Sequence, residues 1–294
     1  TGDVVETWIG EEGWFNNCLS VGDRLYAVGL DEIYMFDRGL NVVKKVETNW
    51  FPKAISFDGS YLYIAGHISR DVDGDGDSEW IWRIEKRTLD LDLIAYREFY
   101  RDWDKAYGYS SYVYDIAVEP VTGELWVVGG WTLWNRTARS GDVTSLIVIF
   151  DRGLNVKKVV EYSRFIGDLF GFCFDDSGNA YVANPWGAAK LDRNGNIMAV
   201  NARGVGGDKI ACVGGRVYVF DTRHVGGYFR HVLYVYDEKL NLLSKHNLSK
   251  GVEADSQFFE GRPAFDGRNL YAAGWDEALG NRRIVVYSIS ILSM

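Results

Sequence analysis

The chain has 294 residues but only three cysteines, Cys18, Cys173 and Cys212. Three cannot form the disulfide framework of a small secreted scaffold. Each falls inside an apolar strand pattern, at an equivalent place in a repeat. They therefore read as small buried core residues, since reactive thiols need a polar, exposed setting. No stretch approaches the run of about 18 apolar residues that a membrane-spanning helix needs. No segment carries a helical period. The four histidines, His67, His224, His231 and His246, show no metal-ligand spacing. Gly-x-Ser-x-Gly, His-Glu-x-x-His and phosphate-loop patterns are all missing, so no common catalytic constellation is legible. Gly204-Val205-Gly206-Gly207 opens no helix and reads as a connection. Gln257 is the only glutamine and methionine occurs three times. That scarcity of thermolabile residues suggests a thermophile, although asparagine remains common.

What is present points to sheets. Aromatic residues make up 15% of the chain, with 11 Trp and 18 Tyr. Such side chains pack well on pleated surfaces. Hydrophobic residues reach 47%, enough for a large core. The net charge of -9 repels phosphate, which excludes nucleic acid and insertion into anionic membrane as expected partners. The chain begins at Thr1, consistent with a removed leader or tag. Asn135-Arg136-Thr137 and Asn247-Leu248-Ser249 have the form of glycosylation sequons, which fits an exported, extracellular or cell-surface protein.

One heptapeptide occurs twice. Phe36-Asp37-Arg38-Gly39-Leu40-Asn41-Val42 returns letter for letter as Phe150-Asp151-Arg152-Gly153-Leu154-Asn155-Val156. Identical stretches far apart indicate a repeat architecture. Around them six segments follow one plan, marked by a second strand reading apolar-aromatic-x-x-small. The markers are Leu25-Tyr26-Ala27-Val28-Gly29, Leu62-Tyr63-Ile64-Ala65-Gly66, Leu125-Trp126-Val127-Val128-Gly129, Ala180-Tyr181-Val182-Ala183-Asn184, Val217-Tyr218-Val219-Phe220-Asp221 and Leu270-Tyr271-Ala272-Ala273-Gly274. Each follows a turn dipeptide such as Asp58-Gly59 or Gly214-Gly215, which supplies positive φ for a tight hairpin. A third strand ends at Asp37, Glu85, Asp151, Asp192 or Asp237, and a turn and a polar fourth strand follow.

Four antiparallel strands recurring at about 50 residues describe a β-propeller blade. Dividing 294 residues by six units gives 49 each. The expectation is an all-β, six-bladed β-propeller forming a single domain over residues 1–294. The last unit lacks room for a fourth strand, whereas 3–9 precedes the first unit alone. The N-terminal strand is therefore expected to complete the last blade and close the ring, removing an exposed edge. The lysine pairs Lys44-Lys45 and Lys157-Lys158 fall on fourth, outer-edge strands, where lysine discourages edge-to-edge aggregation.

The unit Asp175-Asp176-Ser177-Gly178-Asn179-Ala180-Tyr181-Val182-Ala183-Asn184, with Lys190-Leu191-Asp192-Arg193-Asn194-Gly195-Asn196 after it, resembles an NHL-type or SBBP-type repeat. The likeness implies a propeller used as a binding scaffold and no particular chemistry.

The strongest local motif is Asp71-Val72-Asp73-Gly74-Asp75-Gly76-Asp77-Ser78-Glu79. Calcium takes several oxygen ligands, and alternate carboxylates on a glycine turn supply them. Asp71, Asp73, Asp75, Asp77 and Glu79 are the candidate ligands of a structural Ca²⁺. The position where an EF-hand needs glutamate holds Trp82, so the loop instead resembles the short calcium loops of integrin-type propellers. Five carboxylates in nine residues repel each other unless neutralised.

The excursions between second and third strands, 67–79, 130–143, 222–230 and 275–281, should emerge on the face of the blade-to-blade links. That face is rich in aromatics. Trp131, Trp134, Trp275, Trp50 and Tyr109 are the candidate ligand-binding residues, for a protein or carbohydrate partner, because aromatics dominate binding energy at interfaces. Rings there can also serve as wedges between blades. Glu260-Gly261-Arg262-Pro263 resembles the Glu-Gly-Pro start of gluconolactonase-type lactonases. Those enzymes carry Ca²⁺ in the central channel, and Asn16, Asn17 and Asp208 lie near other inner-strand entrances. Arg262 interrupts the motif and the Asn-Asp-Gly signature of that family is missing.

The sequence thus leads to a non-catalytic extracytoplasmic binding or cell-surface assembly module with a structural calcium loop. The alternatives are a calcium-dependent hydrolase with its site in the channel, and a purely structural subunit of an extracellular array.

Overall fold

The computed structural model describes residues 15–290, apart from 73, 75, 77, 101–106, 136–139, 164–168, 170, 185–186, 202–206, 208, 226–227, 249–255, 266 and 279–280. Within strands, the side chains of 107–110, 131–135, 140–143, 163, 184, 224–225, 228–229, 256–260, 273–278 and 281–286 also lie outside the description. All described regular structure is β-strand. Blade 1 is β1 (Asn17–Val21), β2 (Arg24–Val28), β3 (Glu32–Phe36) and β4 (Val42–Glu47). Blade 2 is β5 (Phe51–Phe57), β6 (Leu62–Arg70), β7 (Glu79–Arg87) and β8 (Leu93–Phe99). Blade 3 is β9 (Tyr107–Val118), β10 (Leu125–Asn135), β11 (Ser140–Phe150) and β12 (Val156–Ser163). Blade 4 is β13 (Gly171–Phe174), β14 (Ala180–Asn184), β15 (Gly187–Leu191) and β16 (Ile197–Asn201). Blade 5 is β17 (Lys209–Val213), β18 (Arg216–Val225), β19 (Tyr228–Asp237) and β20 (Leu242–Asn247). Blade 6 has β21 (Ser256–Phe265), β22 (Asn269–Ala278) and β23 (Asn281–Ser290).

Every blade pairs its strands in chain order and antiparallel, the sixth with three described strands. Among the described residues one parallel bridge, Trp80 to Ser110, links blades 2 and 3. The predicted closing strand at 3–9 lies outside the described residues. Two compact units hold the blades: one spans Val5–Leu169 and the other includes Phe170–Met294. The first has a core built from Val28, Trp50, Ile64, Trp82, Ile116 and Val148, all nearly inaccessible to solvent. The second packs Tyr181, Val219 and Tyr236 in one cluster, and Phe220, Leu233 and Leu270 in another.

The duplicated heptapeptide is the hairpin between third and fourth strands, as its sequence predicts. Asp151 Oδ1 accepts the backbone N–H of Gly153 at 2.8 Å and of Asn155 at 2.9 Å, while Asn155 Nδ2 donates to Oδ2 at 2.9 Å. Asp37 repeats this clamp, as do Asp192 and Asp237. Short Asp side chains mimic a backbone turn in this way. The hydrogen bonds of Asn155 and Gly153 hold the Asp151 carboxyl below the usual carboxylate range. The residue before the closing Asn, or before Asp92 in blade 2, takes positive φ, and in four hairpins it is a leucine: Leu40 at 55°, Leu91 at 64°, Leu154 at 66° and Leu240 at 62°. Leu91, Leu154 and Leu240 are buried. Packing of the leucine side chain offsets the steric cost of that backbone region. In blade 2 the turn starts at Thr88, whose hydroxyl accepts the Asp92 N–H at 3.1 Å. The third strand therefore runs past Glu85, the predicted end, to Arg87. Glu85 is an interior residue because Arg83 and Arg87 pair with its two oxygens at 2.8 and 2.6 Å.

In blades 2 and 3 the small residue closing the second-strand marker also acquires a cause. A Cβ on Gly66 would lie 1.9 Å from the Phe51 carbonyl oxygen, and one on Gly129 would lie 2.1 Å from that of Tyr112. The register of the first strand slips beside both positions, as a β-bulge presses backbone against backbone. In blades 1 and 4 the aromatic of the marker reaches the next blade. Tyr26 donates its hydroxyl to Leu89 O at 2.8 Å, and Tyr181 to Glu238 O at 3.1 Å. Each ties a blade to the outer hairpin of its successor within the same unit.

Two expectations need correction. The cysteines are not all buried thiols. Cys173 on β13 and Cys212 on β17 form a disulfide, with Cα atoms 5.6 Å apart. Equivalent positions on the first strands of consecutive blades face each other at a separation a disulfide can span. Cys18, at the same place in blade 1, is free and exposed. The second correction concerns the excursions. They are largely continued hairpins: β10 and β11 stay paired out to Asn135 and Ser140, β18 and β19 to Val225 and Tyr228. Pairing satisfies the backbone groups that an open loop would leave to water.

Candidate functional site

In a meander blade, the first-to-second and third-to-fourth turns share one face. The second-to-third arms and the interblade links share the other. On the arm face of blades 2 and 3, four rings meet. Phe51 begins β5, His67 pairs with it on β6, Trp80 stands near the start of β7, and Tyr112 is on β9. The His67 ring lies 5.5 Å from Phe51, 5.0 Å from Trp80 and 5.4 Å from Tyr112, edge-on to the last two. Phe51 and Trp80 are 5.1 Å apart. These separations suit attractive ring quadrupoles. Tyr112 remains 38% exposed, so the cluster reaches the surface. The parallel bridge from Trp80 to Ser110 fixes the two blades together at this point.

His67 itself is buried, and its Nδ1 has no hydrogen-bond partner among the described residues. Burial, with the nearby Lys53 ammonium adding to it, lowers its pKa to about 4. The ring is neutral at pH 7 as a result. Lys53 does not reach it directly; its ammonium donates to Asn16 Oδ1 at 3.1 Å. The arrangement offers an aromatic surface with a neutral polar edge, suited to stacking and to apolar contact.

Trp50, proposed from sequence as a ligand contact, is 2% exposed. It is a wedge in the core, with the Arg83 guanidinium 5.8 Å from its ring. The side chains of Trp131, Trp134, Trp275 and Tyr109 lie outside the described residues. Of the five candidates only Trp50 has a described side chain, and it is not part of the ring cluster. The usable signal was the pairing of Phe51 with His67 across one hairpin, next to Trp80.

The acidic loop is described at its two ends. Asp71 Oδ1 accepts Gly74 N–H at 2.6 Å and Oδ2 accepts Gly76 N–H at 3.2 Å. Gly74 and Gly76 have φ of 75° and 91°, which explains the alternation of glycine with aspartate. Glu79 is 6% exposed, and its Oε2 accepts Val72 N–H at 3.1 Å. Asp73, Asp75 and Asp77 lie outside the described residues. Among the described residues no group of three acidic, histidine or cysteine side chains is placed to hold a metal.

Two of the lactonase-like positions, Asn16 and Asn17, are described. Asn16 Nδ2 donates to Gly29 O at 3.0 Å and to Pro52 O at 2.9 Å, tying blade 1 to blade 2. Its Oδ1 already faces the Lys53 ammonium, where a bound cation would be repelled. Asn17 is buried in β1. The side chain of Glu260, and Asp208, lie outside the described residues.

No helix among the described residues is long and apolar enough to cross a membrane. No protein-family model matches the chain. No curated protein matches it in sequence. Solved structures do match in fold. The WD40 domain of Pan2 from Neurospora crassa gives a TM-score of 0.58 at 9% identity, covering 92% of this chain and 74% of that one. BBS1N, solved in complex with ARL6DN, gives 0.55 at 11% identity, covering 90% and 78%. At such identities the likeness is one of architecture alone, and that architecture is an all-β, six-bladed propeller of four-stranded antiparallel blades.

Proposed function

We propose that this propeller is a non-catalytic binding or assembly module whose partner is a protein docked on the arm face of blades 2 and 3. The observation that carries the reading is the Phe51, His67, Trp80 and Tyr112 cluster, which holds an exposed tyrosine on a rigid pair of blades. Preorganised aromatic anchors lose little conformational entropy on binding. The BBS1N structure, a propeller bound to another protein, supports the general mode. A carbohydrate is the other candidate, since sugars stack on exposed rings. The test sets Tyr112→Ala and Trp80→Ala against wild type, in crosslinking from the native source and on a glycan array. A partner captured equally by all three proteins, or glycan signals unchanged by both substitutions, would refute the site.

The repeats are read as NHL- or SBBP-like, supported by the Asp175 clamp and the Gly178 turn of blade 4. The acidic loop is read as a structural Ca²⁺ site. What supports it is Glu79, a buried carboxylate whose one described hydrogen bond is to a neutral N–H. Burying a charge without a counter-charge is costly. A melting temperature that does not change between millimolar Ca²⁺ and EGTA at pH 7 would remove this reading. An extracytoplasmic location is supported by the Cys173–Cys212 disulfide, because disulfides persist in oxidising compartments and in some hyperthermophile cytoplasms. Fractionation of the source cells, with thiols alkylated before lysis, separates the two settings.

A further inference from the structure

The turn side of blades 4 to 6 carries a cavity of about 500 Å³. It opens where β13, β17 and β21 end. Phe174 and Phe265 supply apolar walls, and Tyr181 and Cys212 line it deeper in. Its size falls in the range of small-molecule and side-chain pockets. The arm-side cluster is not involved, so either site can fail alone.

The charges around the cavity divide into committed and free. Asp175 is committed: it accepts Ser177 and Asn179 N–H groups, the Tyr181 hydroxyl at 3.3 Å, and the Lys190 ammonium at 3.6 Å. Lys190 also donates to Glu238 O at 3.3 Å and lies over the Tyr181 ring. The side chains of Asp176, Glu238 and Arg216 make no hydrogen bond or ion pair among the described residues. The Glu238 carboxylate lies beside the turn: a Cβ on Gly215 would meet its Oε1 at 3.1 Å. Gly214 and Gly215 both have positive φ, 57° and 71°, and their bare backbone leaves the mouth open. Phe265 is 44% exposed at the rim. The cavity therefore presents two free carboxylates against one guanidinium, beside exposed aromatic surface, on a chain of net charge -9.

We propose that this cavity accepts the lysine or arginine side chain of a partner polypeptide. The apolar stem would lie against Phe174 and Phe265, with the cationic head between Asp176 and Glu238. An amphipathic side chain of this kind buries its stem while keeping its charge paired. Aromatic faces add cation–π attraction. The overall negative charge steers such a partner toward the protein.

The test uses fluorescence anisotropy with a fluorescein-labelled pentalysine peptide and its fully acetylated counterpart, at physiological salt. Asp23→Asn, an exposed carboxylate in blade 1, is the control for net charge. The expected result is saturable binding of pentalysine, none of the acetylated peptide, and a Kd raised about five- to tenfold by Glu238→Gln and by Phe265→Ala. Asp23→Asn should leave Kd within about twofold, since Asp23 does not line the cavity and a solvent-exposed charge is largely screened. Equal weakening by Glu238→Gln and Asp23→Asn would mean diffuse charge attraction and would overturn the proposal. So would binding that Phe265→Ala leaves unchanged in a variant with the wild-type circular dichroism spectrum.

Discussion

Removing the Cys173–Cys212 disulfide should be the most damaging single covalent change. It joins residues 39 apart in sequence, on the first strands of blades 4 and 5. In the chain-entropy account, closing a loop of that length restricts the unfolded chain by about 4 kcal/mol at 25 °C. For a chain of this size, each kcal/mol moves Tm by roughly 2–4 °C, so the loss is roughly 8–16 °C. Cys18 complicates a simple reduction experiment, because it is an exposed free thiol able to exchange with the pair. The comparison is best made in a Cys18→Ser background. There, the oxidised protein, the protein kept in dithiothreitol, and a Cys173→Ala/Cys212→Ala variant are melted by differential scanning calorimetry. Both cysteines are only half-buried, so truncation itself leaves a small cavity term. The reduced protein and the double variant should melt close together and well below the oxidised form. Coincident melting of oxidised and reduced protein within about 2 °C would refute the loop-entropy argument. Peptide mapping that found Cys18 paired instead would refute the assignment.

Three other outcomes follow from the geometry. Glu85→Ala leaves Arg87 buried without its counter-charge and Arg83 with Glu98 alone, and should cost about 3 kcal/mol by urea denaturation; a loss under about 1 kcal/mol would show that the ladder is not a buried network. Leu154→Gly removes a buried side chain while relieving positive φ, for a net loss of about 2 kcal/mol, whereas the same change at half-buried Leu40 should be nearly neutral; equal effects at the two sites would contradict the packing argument. His67 has its folded pKa lowered to about 4, so the unfolded chain binds the proton more readily. Its stabilising effect is whole above the unfolded value of about 6.5 and is lost as pH falls toward 4. His67→Phe should flatten the stability profile between those pH values, and an unchanged profile would remove the reading of a buried neutral ring.

The blade plan was legible because each of its parts is local. A hairpin whose Asp accepts two backbone N–H groups within four residues needs no tertiary help, so the predicted fourth strands Val42–Glu47, Ile197–Asn201 and Leu242–Asn247 coincide with β4, β16 and β20. The alternation of aspartate and glycine in 71–79 likewise announced a tight acidic turn, confirmed in its Asp71 contacts. Tertiary structure decided whatever depends on which blades become neighbours. Cys173 and Cys212 look like isolated small residues until consecutive first strands set them face to face. Trp50 and Trp80 look alike in sequence, yet one is a core wedge and the other belongs to a surface cluster, because burial depends on the strand packed above each ring. The cavity bounded by Phe174, Glu238 and Phe265 draws on three blades and follows no repeat. Local hydrogen bonding and the twofold strand period set the blade; side-by-side packing of blades, which no short stretch encodes, set the sites.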